Sequence, residues 1–358
     1  DLSSACVARM LSAALSEWTW LDPALRKAVE TGLSLLLKRC DEQVRERFQS
    51  VTSVNSVLRN QNFERFVHNI PLVALLSYST AAKTIGDDSA NWYLARSLVL
   101  LEAWSRLRAQ GSTEGITYDG LVLDFALTRR SCDDWNALIT DEMSPGVRSF
   151  IDDLLVLRAP AAAHNLAEIG DIEPTHMTFY LSACVRLAQL DSLPELAWHL
   201  NQVDLRYFRS TGLALLTELR SAGSRGQEPK PGKRAGSYAV SLSTGWTSED
   251  LSAAVACSTS NNSHIHHDCG SVTIARGEEW WICDPGPQHW LDTSERDFTI
   301  GTEAHNAPIV NGLSQNRKLV ERQFHLSNES SRTIRADVDM TECYPPSIGL
   351  SCARRSVW

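Results

Sequence analysis

The sequence predicts a multidomain α+β chain in which a succession of helices is followed by antiparallel β structure. Apolar residues recur at spacings of three and four up to about residue 222, and then alternate at a spacing of two from about residue 238. Residues 223–237, rich in Gly, Pro, Lys and Arg, break both periods and read as a linker. The expected organisation is a helical domain over 1–222, the linker over 223–237 and a β domain over 238–358. With 358 residues and 43% hydrophobic content, the chain can bury a core in each half.

The helical reading rests on stretches such as "LSLLLKRCDEQVRERF", "NIPLVALLSYSTAAKTIG", "NWYLARSLVLLEAWSRLRAQG" and "MTFYLSACVRLAQL". Asp22-Pro23 and Glu173-Pro174 are start signals, and Gly111 and Gly223 follow helical runs. About eight or nine helices are expected on this pattern. Arrays of this kind form bundles, solenoids or closed toroids. The strand reading rests on "SYAVSLST", "SVTIA", "WWICD", "APIVNG" and "RTIRADVDM", short alternating runs between turn residues. The final "SCARRSVW" looks like the start of a further strand, so the β domain is expected to be incomplete. The opening "DLSSACVARM" has no Met and no basic segment ahead of an apolar one, as in a mature form or a fragment.

A net charge of −9 provides no global field to attract nucleic acid or an anionic membrane surface. No apolar run reaches roughly 18 residues, so no membrane span is expected. Nine cysteines, an odd number with no CxxC pair, argue against a disulfide framework and mildly for a reducing compartment. They read mostly as small core residues.

The densest chemistry lies in "HIHHDCGSVTIARGEEWWICDPG", residues 264–286. If 264–274 formed one strand, alternation would put His264, His266 and Asp268 on one face and His267 and Cys269 on the other. The "ARGEE" turn would return the chain along "WWICD". A three-residue turn would bring Asp284 to the His266 face and a two-residue turn to the opposite one. His305 in "TEAHNAPIVNG" precedes a further apolar run. Two imidazoles and a carboxylate form a common Zn²⁺ ligand set, whereas Ca²⁺ and Mg²⁺ prefer oxygen alone. A lone HxH is a weak signal, and His267 and His289 read as structural or exposed. Trp280, Trp281 and Trp290 flank the stretch, and aromatics beside a sheet core more often pack than stack on sugars.

Taken together, these residues resemble the signature of the heparinase II/III-like polysaccharide lyases. The ordered pieces are His264-Ile265-His266-His267-Asp268, Gly277, Asp284-Pro285-Gly286, Arg296, Thr302-Glu303-Ala304-His305-Asn306, and Gly312 to Gln315. The resemblance implies an N-terminal (α/α) toroid of antiparallel helix pairs followed by an antiparallel β-sandwich. It implies a structural zinc on His266, Asp284 and His305, with His264 at a catalytic cleft. Tyr118, in "STEGITYDGLVLDFAL", is the counterpart of the family's acid, which in some members is also the base. Asn62, in "RNQNFERFVHN", is the choice for the group that neutralises the substrate carboxylate, with Asn60, Arg65 and His68 as competitors. The family's common Asn-His form of that motif is absent.

The activity so implied is β-elimination in a uronic-acid-containing polysaccharide, giving a 4,5-unsaturated uronate end. The C5 proton is far too weakly acidic unless its neighbouring carboxylate is neutralised, by a donor such as Asn62 or a protonated His264. Tyr118 would serve as both base and acid in a syn elimination; in an anti one, His264 would be the base and Tyr118 the acid. The partner is an anionic polysaccharide or oligosaccharide, and the oligomeric state is open. The resemblance suggests a periplasmic or secreted enzyme, while the odd cysteine count and the absence of a visible signal peptide leave the cytoplasm open, so the compartment is undetermined. Two alternatives stand beside this reading. One is a glycoside hydrolase using a carboxylate pair from Glu114, Asp119, Asp171 and Glu173; the other is a non-catalytic glycan-binding relative that keeps the zinc.

Overall fold

A computed structural model of the chain describes residues 2–59, 70–111, 113–127, 144–172, 181, 183–185, 187–188, 193–203, 226–259, 264–287, 293–316, 320 and 322–358. It divides into two compact units, Asp1–Leu107 with Leu121–Gly146, and Arg108–Gly120 with Val147–Trp358.

The first unit is helical. Its helices are α1 (Leu2–Glu17), α2 (Pro23–Phe48), α3 (Val54–Leu58), α4 (Ile70–Ile85) and most of α5 (Ala90–Ala109). The α2 start is the one expected: Asp22 accepts from the backbone N–H groups of Ala24 at 2.8 Å and Leu25 at 3.3 Å, with Pro23 in the first turn. Pro has no N–H to leave unsatisfied there, and its fixed φ suits a helix. Helices α1 and α4 pack together. Ala5 and Ala8 on α1 and Leu72, Leu75 and Leu76 on α4 are fully or almost fully buried. Ser4 Oγ lies 2.9 Å from the Tyr78 hydroxyl, and Arg9 pairs with Asp124 at 2.6 Å.

The second unit takes the head of α6 (Ile116–Leu127), most of α7 (Ser144–Leu157), a hairpin of β1 (Arg158–Ala159) and β2 (Ala162–Leu166), α8 (Pro194–Asn201) and two antiparallel sheets. One sheet has five strands in sequence order: β3 (Gly232–Ala235), β4 (Ala239–Ser243), β5 (Leu251–Ala256), β6 (Val272–Arg276) and β7 (Glu279–Ile282). The other is β10-β9-β8, with β8 (Phe324–Asn328), β9 (Ile334–Asp339) and β10 (Arg354–Val357). Val240, Leu242 and Val255 from the first sheet meet Ala336 and Val338 from the second in one buried core. Each Val or Leu so buried contributes about 1.5–3 kcal/mol. This is the sandwich, and "SCARRSVW" supplies β10 within it. The expected linker span contains β3, and α9 (Ser294–Ile300) lies in the sheet half.

The other face of the five-stranded sheet carries the hairpin. Ala159 and Ala162 pack on Ala275 of β6, with Trp280 alongside. Ala161 N–H donates to the Gly277 carbonyl at 3.0 Å, and Asn165 donates to the Glu278 carbonyl at 2.6 Å while accepting from the Trp280 indole at 2.9 Å. Alanines allow this close approach, and the loop leaving β2 carries Asp171 to the site.

Three expectations need correction. Residues 264–271 are not strand; β6 begins at Val272, and Ile265, His266, His267 and Asp268 are all buried, so alternation does not sort them. The turn is two-residue, since Arg276 pairs with Glu279, with Gly277 at φ +57°. A bulge then shifts the register, because Ala275 pairs with Trp280 but Ile274 with Ile282. Asp284 lies beyond β7, so its position is set by the Asp-Pro-Gly loop and not by strand parity. "APIVNG" is a tight turn instead of a strand: Val310 bridges Leu313, with Asn311 and Gly312 both at positive φ.

Candidate metal centre and proton-transfer site

His266, Asp284 and His305 come together, each offering a ligand atom within 4.8 Å of the others, and all three are buried. They are delivered by three irregular segments stapled to the sandwich. Gln315 behaves as a strand would: its side chain accepts from Cys269 N–H at 2.9 Å and donates to the Cys269 carbonyl at 2.7 Å. Asn306, next to His305, accepts from Val272 N–H at 2.7 Å. Thr302 accepts from Gln315 N–H at 2.9 Å and donates to the His267 carbonyl at 2.6 Å. Gly286 N–H donates to Asp284 Oδ1 at 3.1 Å, closing the Asp-Pro-Gly turn. The motif's Asn, Gln and Thr thus act here as splints.

The donor set fits a metal ion. Asp284 Oδ2 lies 2.8 Å from His305 Nδ1. The remaining nitrogens, His266 Nδ1 and His305 Nε2, are buried with no hydrogen-bond partner among the described residues, as is Asp268 Oδ2. Buried polar atoms are ordinarily paired, so unpartnered nitrogens on two of the three clustered residues suit an ion held there. Burial alone would depress the His305 pKa, but the Asp284 hydrogen bond and the charges of Asp268 and Asp284 raise it. Burial also raises the pKa of Asp268.

His264 is two residues from His266 but differently placed, with 19% of its side chain exposed. Its ring stacks on Tyr118, with centroids 3.8 Å apart and planes inclined by 26°. Tyr118 sits in the first turn of α6, which is anchored by a buried network. Arg108 pairs with Asp119 and with Asp153, both at 2.7 Å, and donates to Thr113 at 2.8 Å. Thr113 Oγ1 accepts from Gly115 N–H at 2.9 Å, and Ile116 N–H reaches the Tyr238 hydroxyl at 3.4 Å. Asp153 in turn accepts from the backbone and hydroxyl of Ser237 at 2.5 and 2.6 Å.

One carboxylate joins the two histidines. Asp171 Oδ1 lies 2.9 Å from His266 Nε2, and Oδ2 lies 2.7 Å from His264 Nδ1. Arg296 donates to both oxygens, at 2.8 and 2.6 Å. Burial by itself would raise the Asp171 pKa, but these partners hold it well below the usual carboxylate range. The approach requires Gly170: at φ +77°, a Cβ there would sit 2.8 Å from the His264 carbonyl oxygen, which accepts from Asp171 N–H at 2.9 Å.

Of the residues expected at the site, Tyr118 and His264 meet in one place and His266, Asp284 and His305 in an adjoining one. Asn62 lies outside the described residues, as do its competitors Asn60, Arg65 and His68, and likewise Glu173, His289 and Trp290. His267 is buried, not exposed, and its N–H donates to the Ile300 carbonyl. Asp171 had no place in this site on the sequence; its contacts span 93 to 125 positions along the chain, which no local motif reports.

Residues 225–342 match the family described as "Heparinase II/III-like, C-terminal". The fold is similar to that of a heparinase III crystal structure, with 12% identity and a TM-score of 0.58 over 85% of this chain and 48% of that one. A heparinase III with methylated lysines gives 11% identity and a TM-score of 0.58, over 99% and 50% of the two chains. Heparan sulfate lyase HepC from Pedobacter heparinus gives 12% and 0.51, over 98% and 51%. The chain therefore spans about half the length of these structures, and their fold bears out the expected helical toroid and β-sandwich. No curated protein matches the sequence.

Proposed function

We propose that this chain, which belongs to the heparinase II/III-like family through residues 225–342, is a polysaccharide lyase that cleaves a uronic-acid-containing polymer by β-elimination. The observation that carries the reading is the stacked pair of Tyr118 and His264. It sets two proton-transfer groups side by side, one on the head of α6 and one beside the sheet.

In this reaction a base removes the C5 proton. The C5–H electrons form the C4–C5 double bond, and the C4–O bond breaks onto the departing oxygen, which must then be protonated. Tyr118 donates that proton. In a syn elimination the tyrosine first takes the C5 proton as phenolate; in an anti elimination His264 takes it. In the syn elimination a protonated His264 instead offers a charged donor to the aci-carboxylate that develops beside C5. Asn62 is proposed to share that task.

His266, Asp284 and His305 would hold zinc, since two imidazoles and a carboxylate suit it better than an all-oxygen cation. Its contribution is structural, cross-linking the three irregular segments that wall the site. The hydrolase alternative is disfavoured by the state of two of its four carboxylates. Asp119 is paired with Arg108, and the low pKa of Asp171 is the reverse of what a glycosidase acid needs.

The test incubates the full chain with heparan sulfate, alginate and hyaluronan and follows the ultraviolet absorbance of an unsaturated uronate. Absorbance growing with wild type and lost in Tyr118→Phe supports the reading. New reducing ends without absorbance indicate hydrolysis, and no cleavage of any uronate polymer leaves a glycan-binding relative; either result sinks the lyase reading.

A further inference from the structure

The Asp171 carboxylate carries more information than its position. It is fully buried, and each oxygen meets one imidazole nitrogen and one Arg296 nitrogen. A carboxylate gripped through both oxygens by a guanidinium is ionised and can only accept. Both histidine nitrogens facing it must therefore carry hydrogen. His264 is then the Nδ1–H tautomer, with Nε2 as its basic nitrogen. His266 is the Nε2–H tautomer, with Nδ1 as its basic nitrogen. His266 Nδ1 is the buried atom that has no partner among the described residues, on a residue of the candidate metal cluster.

We propose that Asp171 is a positioning residue that sets His264 and His266 in opposite tautomers, presenting His266 Nδ1 to a metal ion and His264 Nε2 to the substrate, with Arg296 fixing the carboxylate between them. The His264 half rests on the lyase reading above; the His266 half does not. For His266 this is the carboxylate–histidine–metal arrangement, in which the outer carboxylate fixes ring orientation and raises ligand basicity. For His264 it is the orienting role of the carboxylate in a hydrolytic triad, where the wrong tautomer abolishes catalysis with the geometry intact. One side chain serves both because the two rings approach different oxygens. A metal ligand and a proton-transfer group are thereby held in fixed relation by a single residue from the loop after β2.

The first experiment needs no variant. Long-range ¹H–¹⁵N spectra of ring-labelled, metal-free protein distinguish the two tautomers of each histidine. The expected result is one Nδ1–H ring assigned to His264 and one Nε2–H ring assigned to His266. Finding both histidines in the same tautomer overturns the proposal. The second experiment titrates zinc into wild type, Asp171→Asn and Asp171→Glu. Asparagine presents an N–H to one of the rings, and zinc affinity is expected to fall about 10- to 100-fold. Glutamate, which keeps two acceptors, should recover part of the loss. Asp171→Asn affinity within about threefold of wild type would overturn the outer-carboxylate role. If Asp171→Asn does not fold, Arg296→Lys, which leaves both rings their acceptors but frees the carboxylate to move, carries the same titration with a smaller loss.

Turnover is read separately. Asp171→Asn should lower kcat far more than it changes KM. A wild type that cleaves no uronate polymer refutes the lyase reading, while the spectra and the zinc titration still decide the role of Asp171.

Discussion

His264 and His266 are two residues apart and bonded to the same carboxylate, yet they belong to different chemical regions. Around His266 the side chains are dry: His266, His305 and Asp284 have no exposed side-chain surface, and two imidazole nitrogens lack partners among the described residues. Around His264 the ring is partly exposed and lies flat on a tyrosine. Burial with unsatisfied donor atoms suits an ion that is never released, whereas partial exposure suits groups that must meet a substrate. The difference separates holding the site together from doing its chemistry, although one motif supplies both histidines.

The strongest way to break that division is to remove a ligand from the dry side. His305→Ala should take bound zinc from about one ion per chain to near none, because two protein ligands do not retain the metal. Elemental analysis of the purified protein reads this, and thermal unfolding with and without a chelator should show a lower midpoint for the metal-free form. Undiminished zinc in His305→Ala would remove the metal centre from this region. On the exposed side, Tyr118→Phe should lower turnover by about 10²- to 10⁴-fold, the usual contribution of a positioned proton donor. Its zinc content should be that of wild type. An effect on metal instead of turnover would mean that the two regions are not distinct.

A third variant tests how the tyrosine is held. Replacing Arg108 by Met strands two buried carboxylates, Asp119 and Asp153, and should cost about 3–5 kcal/mol in denaturant unfolding. Protein that remains folded should still bind zinc, since none of the cluster residues bonds to this network. A loss below about 1 kcal/mol would mean that the network is not what anchors the head of α6.

Much of the fold was legible because its signals are local. The Asp22-Pro23 start of α2 needs only a carboxylate two residues from its amides, and β4 and β9 alternate because one face meets the sandwich core. The hairpin of β1 and β2 escaped because "RAPAAAHNL" has no aromatic residue and only one large aliphatic, so its alanines look helical; they are small because the hairpin lies against β6. The HIHHD stretch misled because alternation presumes a strand with two environments, whereas Ile265, His266, His267 and Asp268 are all buried. His266, Asp284 and His305 were brought together as the motif's order implied, though through loops, a bulge and a side-chain staple rather than strand parity. Asp171 was legible only as one carboxylate among several, because its meaning comes from partners about a hundred positions away.

The smallest effects concern Trp280 and Trp281 of β7. Trp280 is half-buried and donates its indole N–H to Asn165, which ties the β6–β7 hairpin to β2. Trp280→Phe keeps the ring and loses that bond, so a cost of about 1 kcal/mol is expected with zinc binding unchanged. Trp281 is the extra residue of the bulge and is 58% exposed. Its truncation to Ala should change stability by less than about 0.5 kcal/mol, as for most exposed positions. If Trp281 only packs, KM for a cleaved polymer is also unchanged. A KM raised severalfold in Trp281→Ala, with kcat and stability preserved, would instead give the bulge a purpose: turning one indole outward to stack on a sugar ring while its neighbour secures the hairpin.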